Sequence, residues 1–309
     1  MNLVFMGTPE FAVPSLQALH RSRHLITAVV TVPDKPAGRG RQLRPSAVKV
    51  AALQLGLPIL QPDDLHGSEF HDQLAALQAD LFFVVGFRIL PEAIFTMPPH
   101  GTVNLHASLL PKYRGAAPIN WALIQGDTET GVTTFFIEKS VDTGNILLQA
   151  ALPVDETMTA GDLHDQLATL GAELAVRTVD GLEDGTLKAT AQTGEITKAP
   201  KLTKDLGSID WQAPAENVHN LIRGLSPFPG CYTTLKDKTI KLLRSRVVSR
   251  EGKSADPGTI LKLGKNGPLE VQTGDGIVEL MEVKPEGKKA MSAGEFIRGY
   301  RVEAGQRFE

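Results

Sequence analysis

The sequence predicts an α/β protein with two domains: a doubly wound, Rossmann-like domain, followed by a small antiparallel β-barrel. In the first half, continuous apolar runs alternate with helical patterns, which is typical of a parallel sheet covered on both faces. Beyond Pro227 the pattern changes to short alternating runs separated by Gly, Asp, Lys and Pro turns, which indicates antiparallel strands. A chain of 309 residues suits two domains that each bury a core.

The first elements follow directly from the N-terminus. Residues 3–6 are a short apolar strand that ends at Gly7. Thr8 is a candidate N-cap and Pro9 suits the first helical position, so we expect a helix that runs to about residue 21. The next predicted elements are strands at 25–32, 58–60 and 81–87 and helices at 46–55 and 68–78. Right-handed crossovers between such strands give an open sheet, whose ligands bind beyond the carboxyl ends of the strands.

The middle of the chain continues the alternation. The predicted elements are strands at 102–106, 132–137 and 145–154 and helices at 116–125 and 160–183. Pro111 and Gly115 break the chain after the first of these strands, which predicts a shaped loop. Gly171 is expected to interrupt the long helix.

The pattern places the domain boundary near residue 200. We expect a first domain at 1–190, a polar linker at 191–206 and a second domain at 207–309. A helix near 214–223 begins the second domain. The five strands expected after it are 231–235, 239–244, 258–263, 269–273 and 276–283. Five short strands suit an OB-fold, which is a common oligonucleotide platform.

Composition indicates a soluble cytoplasmic protein. One cysteine, Cys231, allows no intrachain disulfide and no cysteine-based metal site. Apolar runs such as 81–85 are far too short to span a membrane. The sequence contains neither a Gly-x-Ser-x-Gly elbow nor a His-x-x-x-His zinc pattern, so direct transfer chemistry without a metal is favoured. We expect a monomer.

Charge is distributed unevenly along the chain. The net charge of -3 divides into -6 for residues 1–206 and +3 for residues 207–309. A basic C-terminal part beside an acidic N-terminal part permits nucleic-acid binding, although an imbalance of this size also arises by chance.

A polar pair lies at the end of the apolar strand 102–106. Residues i and i+2 of a strand share a face, so Asn104 and His106 point the same way. An amide beside an imidazole can stabilise an oxyanion and handle a proton. Asp142, in an Asp-Thr-Gly turn, can bring a carboxylate back towards His106. Each residue alone has a structural alternative, as a turn former, a core histidine or an Asx turn. Their joint arrangement favours catalysis.

Motifs around this pair resemble one known family. Asn-x-His, then Ser-Leu-Leu-Pro-Lys-Tyr-Arg-Gly, with Asp-Thr-Gly about 30 residues on, resembles the folate-dependent formyltransferases. Four further motifs resemble the methionyl-tRNA formyltransferase family within that group: Gly-Thr-Pro-Glu-Phe at 7–11, Pro-Asp-Lys-Pro-Ala-Gly-Arg-Gly at 33–40, Ala-Ala-Pro-Ile-Asn at 116–120 and Gly-Lys-Lys-Ala-Met-Ser at 287–292. The resemblance extends from the first strand almost to the C-terminus.

The resemblance implies an activity and a set of site residues. It implies transfer of the formyl group of 10-formyltetrahydrofolate to methionyl-initiator tRNA, with Asn104, His106 and Asp142 as catalytic residues. The folate-binding residues that it implies are Gly86, Phe87, Ile89, Ser108, Leu109, Leu110 and Pro111. The family's usual Tyr-Gly pair appears here as Phe87-Arg88, which alters the expected contacts to the pterin.

The tRNA-binding residues that the resemblance implies are mostly basic. Residues 33–45 carry three prolines and two glycines, which exclude regular structure, and four cations: Lys35, Arg39, Arg41 and Arg44. A mobile surface loop is one interpretation, and entry into a nucleic-acid end is the other. In the family this loop wedges at the acceptor end of the initiator tRNA, with Arg39 at its centre. The other implied contacts are Phe11, beside the methionine side chain, and Lys201 and Lys204 of the linker.

Two other functions remain open at this stage. One is formylation of another amine, either a nucleotide sugar or glycinamide ribonucleotide, which shares the catalytic trio but does not need the basic loop at 33–45 together with a basic barrel. The other is RNA binding on a catalytically inactive scaffold, which the intact trio argues against.

Overall fold

The computed structural model describes residues 1–37, 42–264 and 267–309. These form two compact units, each assembled from separate parts of the chain. The first unit comprises residues 1–115, 131–152 and 164–198. The second unit comprises residues 116–130, 153–163 and 199–309.

The strands up to residue 199 are β1 Asn2–Gly7, β2 Leu25–Val30, β3 Lys35–Ala37, β4 Gln42–Arg44, β5 Ile59–Leu60, β6 Leu81–Val85, β7 Thr102–His106, β8 Arg114–Gly115, β9 Glu129–Phe136, β10 Ile146–Pro153 and β11 Lys198–Ala199. The helices over the same range are α1 Val13–Arg21, α2 Ala47–Gln54, α3 Ser68–Ala76, α4 Glu92–Phe95, α5 Pro118–Ile124 and α6 Ala160–Glu183.

Seven of these strands form one sheet, in the order β10-β9-β7-β6-β1-β2-β5. The run from β7 to β5 is parallel, and β9 lies antiparallel against β7. The parallel strands are short and apolar, as the sequence predicted. The predicted α/β class is confirmed. Two small two-stranded sheets accompany it, β3 with β4 and β8 with β11. The expectation that residues 33–45 have no regular structure was wrong, because Lys35–Ala37 pairs with Gln42–Arg44.

The sheet is buried on both faces. Every residue of β6 is buried, and its alternate side chains enter different layers. Phe82 and Val84 join a cluster with Phe70 and Leu74 of α3. Phe83, on the other face, stacks on a second buried ring with the centroids 6.5 Å apart. Burial on both sides explains why the strand sequences are continuous apolar runs.

The start of the first helix was predicted wrongly. Instead of a helix capped by Thr8, a short 3₁₀ turn spans Glu10–Ala12, and α1 begins at Val13. Pro14 lies in the first turn of α1, where the missing N–H of proline is not needed. Pro14 therefore lies at the start of the helix and does not distort it.

Gly171 does not interrupt α6, which is continuous from Ala160 to Glu183. A Cβ built on Gly171 would lie 2.8 Å from Leu105 Cδ2. The glycine is therefore required for close packing of the helix on β7, the strand that carries His106.

The second unit is a small antiparallel β domain, as predicted. It contains α7 Ala215–Leu225, β12 Cys231–Leu235, β13 Lys238–Ser249, β14 Ile260–Leu263, β15 Leu269–Gln272, β16 Ile277–Pro285, β17 Met291–Ser292 and α8 Ala293–Tyr300. The sheet order is β12-β13-β16-β15-β14, and β17 pairs with β16. The sequence interpretation lacked α8, although a capping box of Ser292 and Glu295 begins it. Within the described ranges, no helix has the length and apolar character needed to cross a bilayer.

Candidate active site

The candidate site lies at the carboxyl end of β7. Asn104 and His106 alternate with the buried Val103 and Leu105, so they occupy one face of the strand. His106 is 7% exposed, and Asn104 is half-buried. Among the described residues, the Asn104 side chain has no hydrogen-bond partner, so its amide is available to a ligand.

The orientation of His106 is set by a backbone carbonyl. Its Nε2 lies 2.9 Å from the oxygen of Tyr113. A carbonyl oxygen can only accept, so Nε2 carries the proton and donates it to Tyr113. In the neutral ring, Nδ1 is then the atom with a free lone pair. Nδ1 lies 3.9 Å from Asp142 Oδ2, which is too long for a hydrogen bond but close enough for the carboxylate to stabilise the ring when it is protonated.

The carboxylate of Asp142 is held by an unusual turn. Asp142 adopts a positive φ of 56°, a conformation that is uncommon for residues with a side chain. Its Oδ2 accepts a hydrogen bond of 2.9 Å from the backbone N–H of Gly115. The Asp142 side chain is 10% exposed, so the negative charge lies in a largely dry environment next to His106.

Gln192 forms hydrogen bonds to both loops of the site, the one that contains Arg114 and the one that contains Asp142. Gln192 Nε2 donates to the carbonyl oxygens of Asp142 and Gly144, both at 2.9 Å. Gln192 Oε1 accepts from Arg114 Nη2 at 2.6 Å and from Nε at 3.2 Å. One side chain therefore ties the Asp142 turn to the loop that contains Tyr113.

The Ser-Leu-Leu-Pro loop is held by two polar residues on neighbouring strands. Thr133, which pairs with His106 across β7 and β9, donates to the Ser108 carbonyl at 2.6 Å and accepts from the Leu110 N–H at 3.1 Å. Gln149 Nε2 donates to the Leu110 carbonyl at 2.9 Å. Ser108, Leu110 and Pro111 are buried, and the Ser108 hydroxyl donates to the Lys112 carbonyl. Leu109 is half-buried. Thr133 and Gln149 thus fix the backbone of the loop that follows His106.

The predicted pterin-contacting residues after β6 are more open. Gly86 is exposed and has a φ of 57°; a Cβ there would lie 2.7 Å from Pro9 Cγ. Phe87 is half-buried, and Ile89 is 79% exposed. An exposed apolar side chain just beyond the carboxyl end of β6 is available to an aromatic ligand.

Arg88, where the sequence departs from the family pattern, has a structural explanation. Its guanidinium donates to the carbonyl oxygens of Pro62 and Asp63, at 2.6 and 3.0 Å, and lies 5.4 Å from the centre of the Phe87 ring. Arg88 therefore fastens the loop after β6 to the segment that follows β5.

The predicted tRNA contacts are placed as follows. Lys35, Lys201 and Lys204 are exposed. Phe11 is only 8% exposed and packs edge-on against His164, with the ring centroids 5.4 Å apart. Arg39 and Arg41 lie outside the described residues.

Sequence reasoning missed four residues that position the site: Tyr113, Thr133, Gln149 and Gln192. Tyr113 acts through its carbonyl oxygen, which has no signature in the side-chain sequence. Thr133 and Gln149 lie in predicted apolar strands, where a polar side chain gives no sign of its contact with a distant loop. Gln192 lies 50 residues from its partner Asp142, and a polar residue in a predicted linker gives no sign of such a contact.

Other reactive groups lie apart from this chemistry. Burial raises the pKa of the Cys231 thiol to about 12, so it is not a nucleophile. In the part of the chain that the structure describes, no group of three or more His, Cys, Asp or Glu side chains is arranged to hold a metal ion.

Comparisons with known proteins identify the family of this chain. Family models for the formyl transferase domain and the formyl transferase C-terminal domain match residues 1–179 and 201–301. A methionyl-tRNA formyltransferase of Thermodesulfovibrio yellowstonii is 47% identical over 98% of this chain and 97% of that protein. The chain belongs to the methionyl-tRNA formyltransferase family. Another member, from Acetivibrio thermocellus, is 45% identical over 99% of both chains.

Solved structures share the fold at low sequence identity. A sugar N-formyltransferase, WlaRD, solved with dTDP and 5-N-formyl-THF, has a TM-score of 0.65 at 20% identity and covers 94% of this chain and 99% of its own. An N-formyltransferase of Helicobacter canadensis, solved with folinic acid and dTDP-3-aminofucose, has a TM-score of 0.66 at 18% identity and covers 90% of this chain and 98% of its own. At these identities the likeness shows the fold alone.

Proposed function

We propose that this chain transfers the formyl group of 10-formyltetrahydrofolate to the amino group of methionyl-initiator tRNA for translation initiation, in the cytoplasm and as a monomer. The observation that supports the proposal is the pair of Asn104 and His106 on one face of β7, with the Asp142 carboxylate 3.9 Å from His106 Nδ1, in a chain of this family. Relatives named methionyl-tRNA formyltransferase match almost the full length, which supports this acceptor over a nucleotide sugar.

His106 is the proton-handling residue in this proposal. With Nε2–H committed to the Tyr113 carbonyl, Nδ1 is free to take the proton that the attacking amine loses. The imidazolium that results has two N–H donors. Its Nε2–H donates to the Tyr113 carbonyl, and its Nδ1–H faces the substrate and Asp142. The Asp142 carboxylate, 3.9 Å from Nδ1, stabilises that cation. The same proton can then pass to the departing N10 nitrogen of tetrahydrofolate.

Asn104 supplies an oxyanion donor. Attack of the amine on the formyl carbon creates a tetrahedral centre with negative charge on oxygen. Asn104 shares the strand face of His106, and its amide N–H is not engaged by the described residues, so it can donate to that oxygen. Because this bond is strongest when the charge has developed, it lowers the barrier rather than only binding the substrate.

The pterin is proposed to lie against Gly86, Phe87 and Ile89, with residues 108–111 behind it. Ile89 offers an exposed apolar surface, and Gly86 is exposed and has no side chain, so a planar ligand can approach its backbone. We assign tRNA contacts to Lys35, Lys201 and Lys204, whose exposed ammonium groups suit phosphates. Arg39 and Arg41 are proposed tRNA contacts on the sequence resemblance alone.

A panel of acceptors tests the proposal. The purified chain is incubated with labelled 10-formyltetrahydrofolate and, separately, with methionyl-initiator tRNA, a methionyl-elongator tRNA, an amino-sugar nucleotide and glycinamide ribonucleotide. The expected result is labelled formyl-methionyl-tRNA, with the initiator preferred, and no label on the small amines. A preparation of Asn104→Ala is the control for contaminating activity. Formylation of a small amine but not of tRNA would overturn the proposal.

A further inference from the structure

The antiparallel sheet of the second unit contains a pair of like charges on directly opposed residues of β13 and β16. At two positions, directly paired residues of β13 and β16 carry charges of opposite sign: Arg244 with Glu282 and Arg246 with Glu279. At a third position, Lys241 is directly opposite Lys284. Like charges opposed across strands are unfavourable. Within the described residues, Lys284 has no acidic or hydrogen-bonding partner, so this pair lacks the anion that the others have.

An exposed aromatic residue lies next to this lysine pair. Phe228 is 81% exposed, an unusual position for a large apolar ring. Its loop is held on both sides: the Ser226 carbonyl accepts from the Gly161 N–H at 3.1 Å, and the Pro229 carbonyl accepts from Lys241 Nζ at 2.7 Å. The second bond places the Lys241 ammonium one residue from Phe228. The ring is therefore presented to solvent on a fixed loop.

A second aromatic residue continues the row. Tyr232 of β12 pairs directly with Lys241 of β13, which pairs with Lys284 of β16. Directly paired residues share a sheet face, so the three side chains form a row across three strands. Tyr232 is half-buried, and Lys284 is exposed. We call Phe228, Tyr232, Lys241 and Lys284 the aromatic–lysine platform.

We propose that the aromatic–lysine platform binds an unpaired nucleotide of the tRNA, with the base stacked on Phe228 and a phosphate between Lys241 and Lys284. The inference rests on the proposed function for the identity of the partner. Aromatic faces beside cations are the usual means by which proteins hold unpaired nucleotides. A phosphate also supplies the negative charge that the opposed lysines lack. An acidic protein would not need the exposed ring, and an apolar protein surface would not need the lysines.

Binding of initiator tRNA to full-length variants tests the platform. Phe228→Ala is expected to weaken affinity by on the order of 10-fold, without changing the salt dependence, because stacking is not ionic. Lys284→Gln is expected to weaken binding and to reduce the slope of log affinity against log salt by about 1. The KM for tRNA should rise in both variants while kcat is unchanged.

Two further substitutions at Phe228 separate stacking from other roles. Phe228→Trp keeps an aromatic face and should retain affinity, whereas Phe228→Leu keeps an apolar side chain and should lose it. Since Phe228 is 81% exposed, none of these changes removes core packing. Full affinity of Phe228→Leu would overturn base stacking and would point instead to an apolar protein contact.

Matched controls lie on the same sheet. Met281→Ala removes an exposed apolar side chain that lies on β16, away from the Phe228 loop. Lys262→Gln removes a lysine that is already paired with Glu270, at 3.7 Å. Both should bind tRNA as the wild type does. If Phe228→Ala and Lys284→Gln also bind normally while the wild type formylates methionyl-tRNA, the platform is refuted and the proposed function stands. If the wild type binds but does not formylate tRNA, the proposed function fails while the binding comparison still tests the platform.

Discussion

Replacing Gln192 by leucine removes the hydrogen bonds that hold the Asp142 turn, while the side-chain volume is nearly unchanged. The wild-type amide makes two hydrogen bonds to the carbonyls of Asp142 and Gly144 and two to Arg114. Leucine makes none. Gln192 touches no reacting atom in the proposed mechanism, so it acts as a positioning residue through the Asp142 turn.

The size of the effect follows from those bonds. Each bond to a carbonyl is worth about 1 kcal/mol net, so the turn loses about 2 kcal/mol of support. The positive φ of Asp142 itself costs about 1–3 kcal/mol, which this support offsets. Loss of about 2 kcal/mol would lower the fraction of molecules with Asp142 in place, and with it kcat, by up to about 30-fold.

Single-turnover formyl transfer and urea unfolding measure the two consequences of Gln192→Leu. Gln192→Glu is the matched variant: it keeps the contact to Arg114 but replaces the donor to Asp142 and Gly144 by an acceptor. We expect Gln192→Glu to lose rate as Gln192→Leu does, and to lose less stability than Gln192→Leu because the contact to Arg114 remains. A wild-type rate in Gln192→Glu would refute the positioning role.

Three further predictions concern other parts of the molecule. Asn104→Ala should lower kcat by about 10²–10³ with little change in folate affinity, measured in steady state, because an oxyanion donor is lost. Gly171→Val should cost about 1–3 kcal/mol in urea unfolding, because its Cβ would lie 2.8 Å from Leu105 Cδ2. Burial lowers the pKa of His219, so the unfolded state binds more protons, and stability should fall as the pH drops below about 6.5. His219→Gln should flatten that loss in urea titrations from about pH 7.5 to about pH 5.5.

The sequence predicted the parts of the fold that depend on local pattern. Apolar runs gave the strands of the parallel sheet, and the bounds of α6 were predicted correctly. The start of α1 was missed because Pro9 and Pro14 both suit a first helical turn, and only the 3₁₀ turn at Glu10–Ala12 decides between them. Gly171 was misjudged because helix propensity does not reveal a neighbour such as Leu105, 66 residues away in sequence, that needs the space.

The site was predicted in its side chains but not in its supports. Strand alternation placed Asn104 and His106 on one face, and the Asp-Thr-Gly turn brought Asp142 to within 3.9 Å of His106. The position of the proton on His106 Nε2 could not be predicted, because it depends on the Tyr113 carbonyl and the sequence does not show where a backbone oxygen lies. Gln192 could not be found because its four bonds join segments distant in the chain.

The most direct test of the central claim is single-turnover formylation by Asp142→Asn. Asparagine keeps the acceptor for the Gly115 N–H, so folding and binding of folate and tRNA should persist. The substitution removes a charge 3.9 Å from Nδ1, worth about 4 kcal/mol at an effective dielectric constant of about 20. We therefore predict a rate of formyl transfer lower by about 10³-fold, with both substrates bound. A rate close to that of the wild type would contradict a mechanism in which Asp142 stabilises the protonated His106.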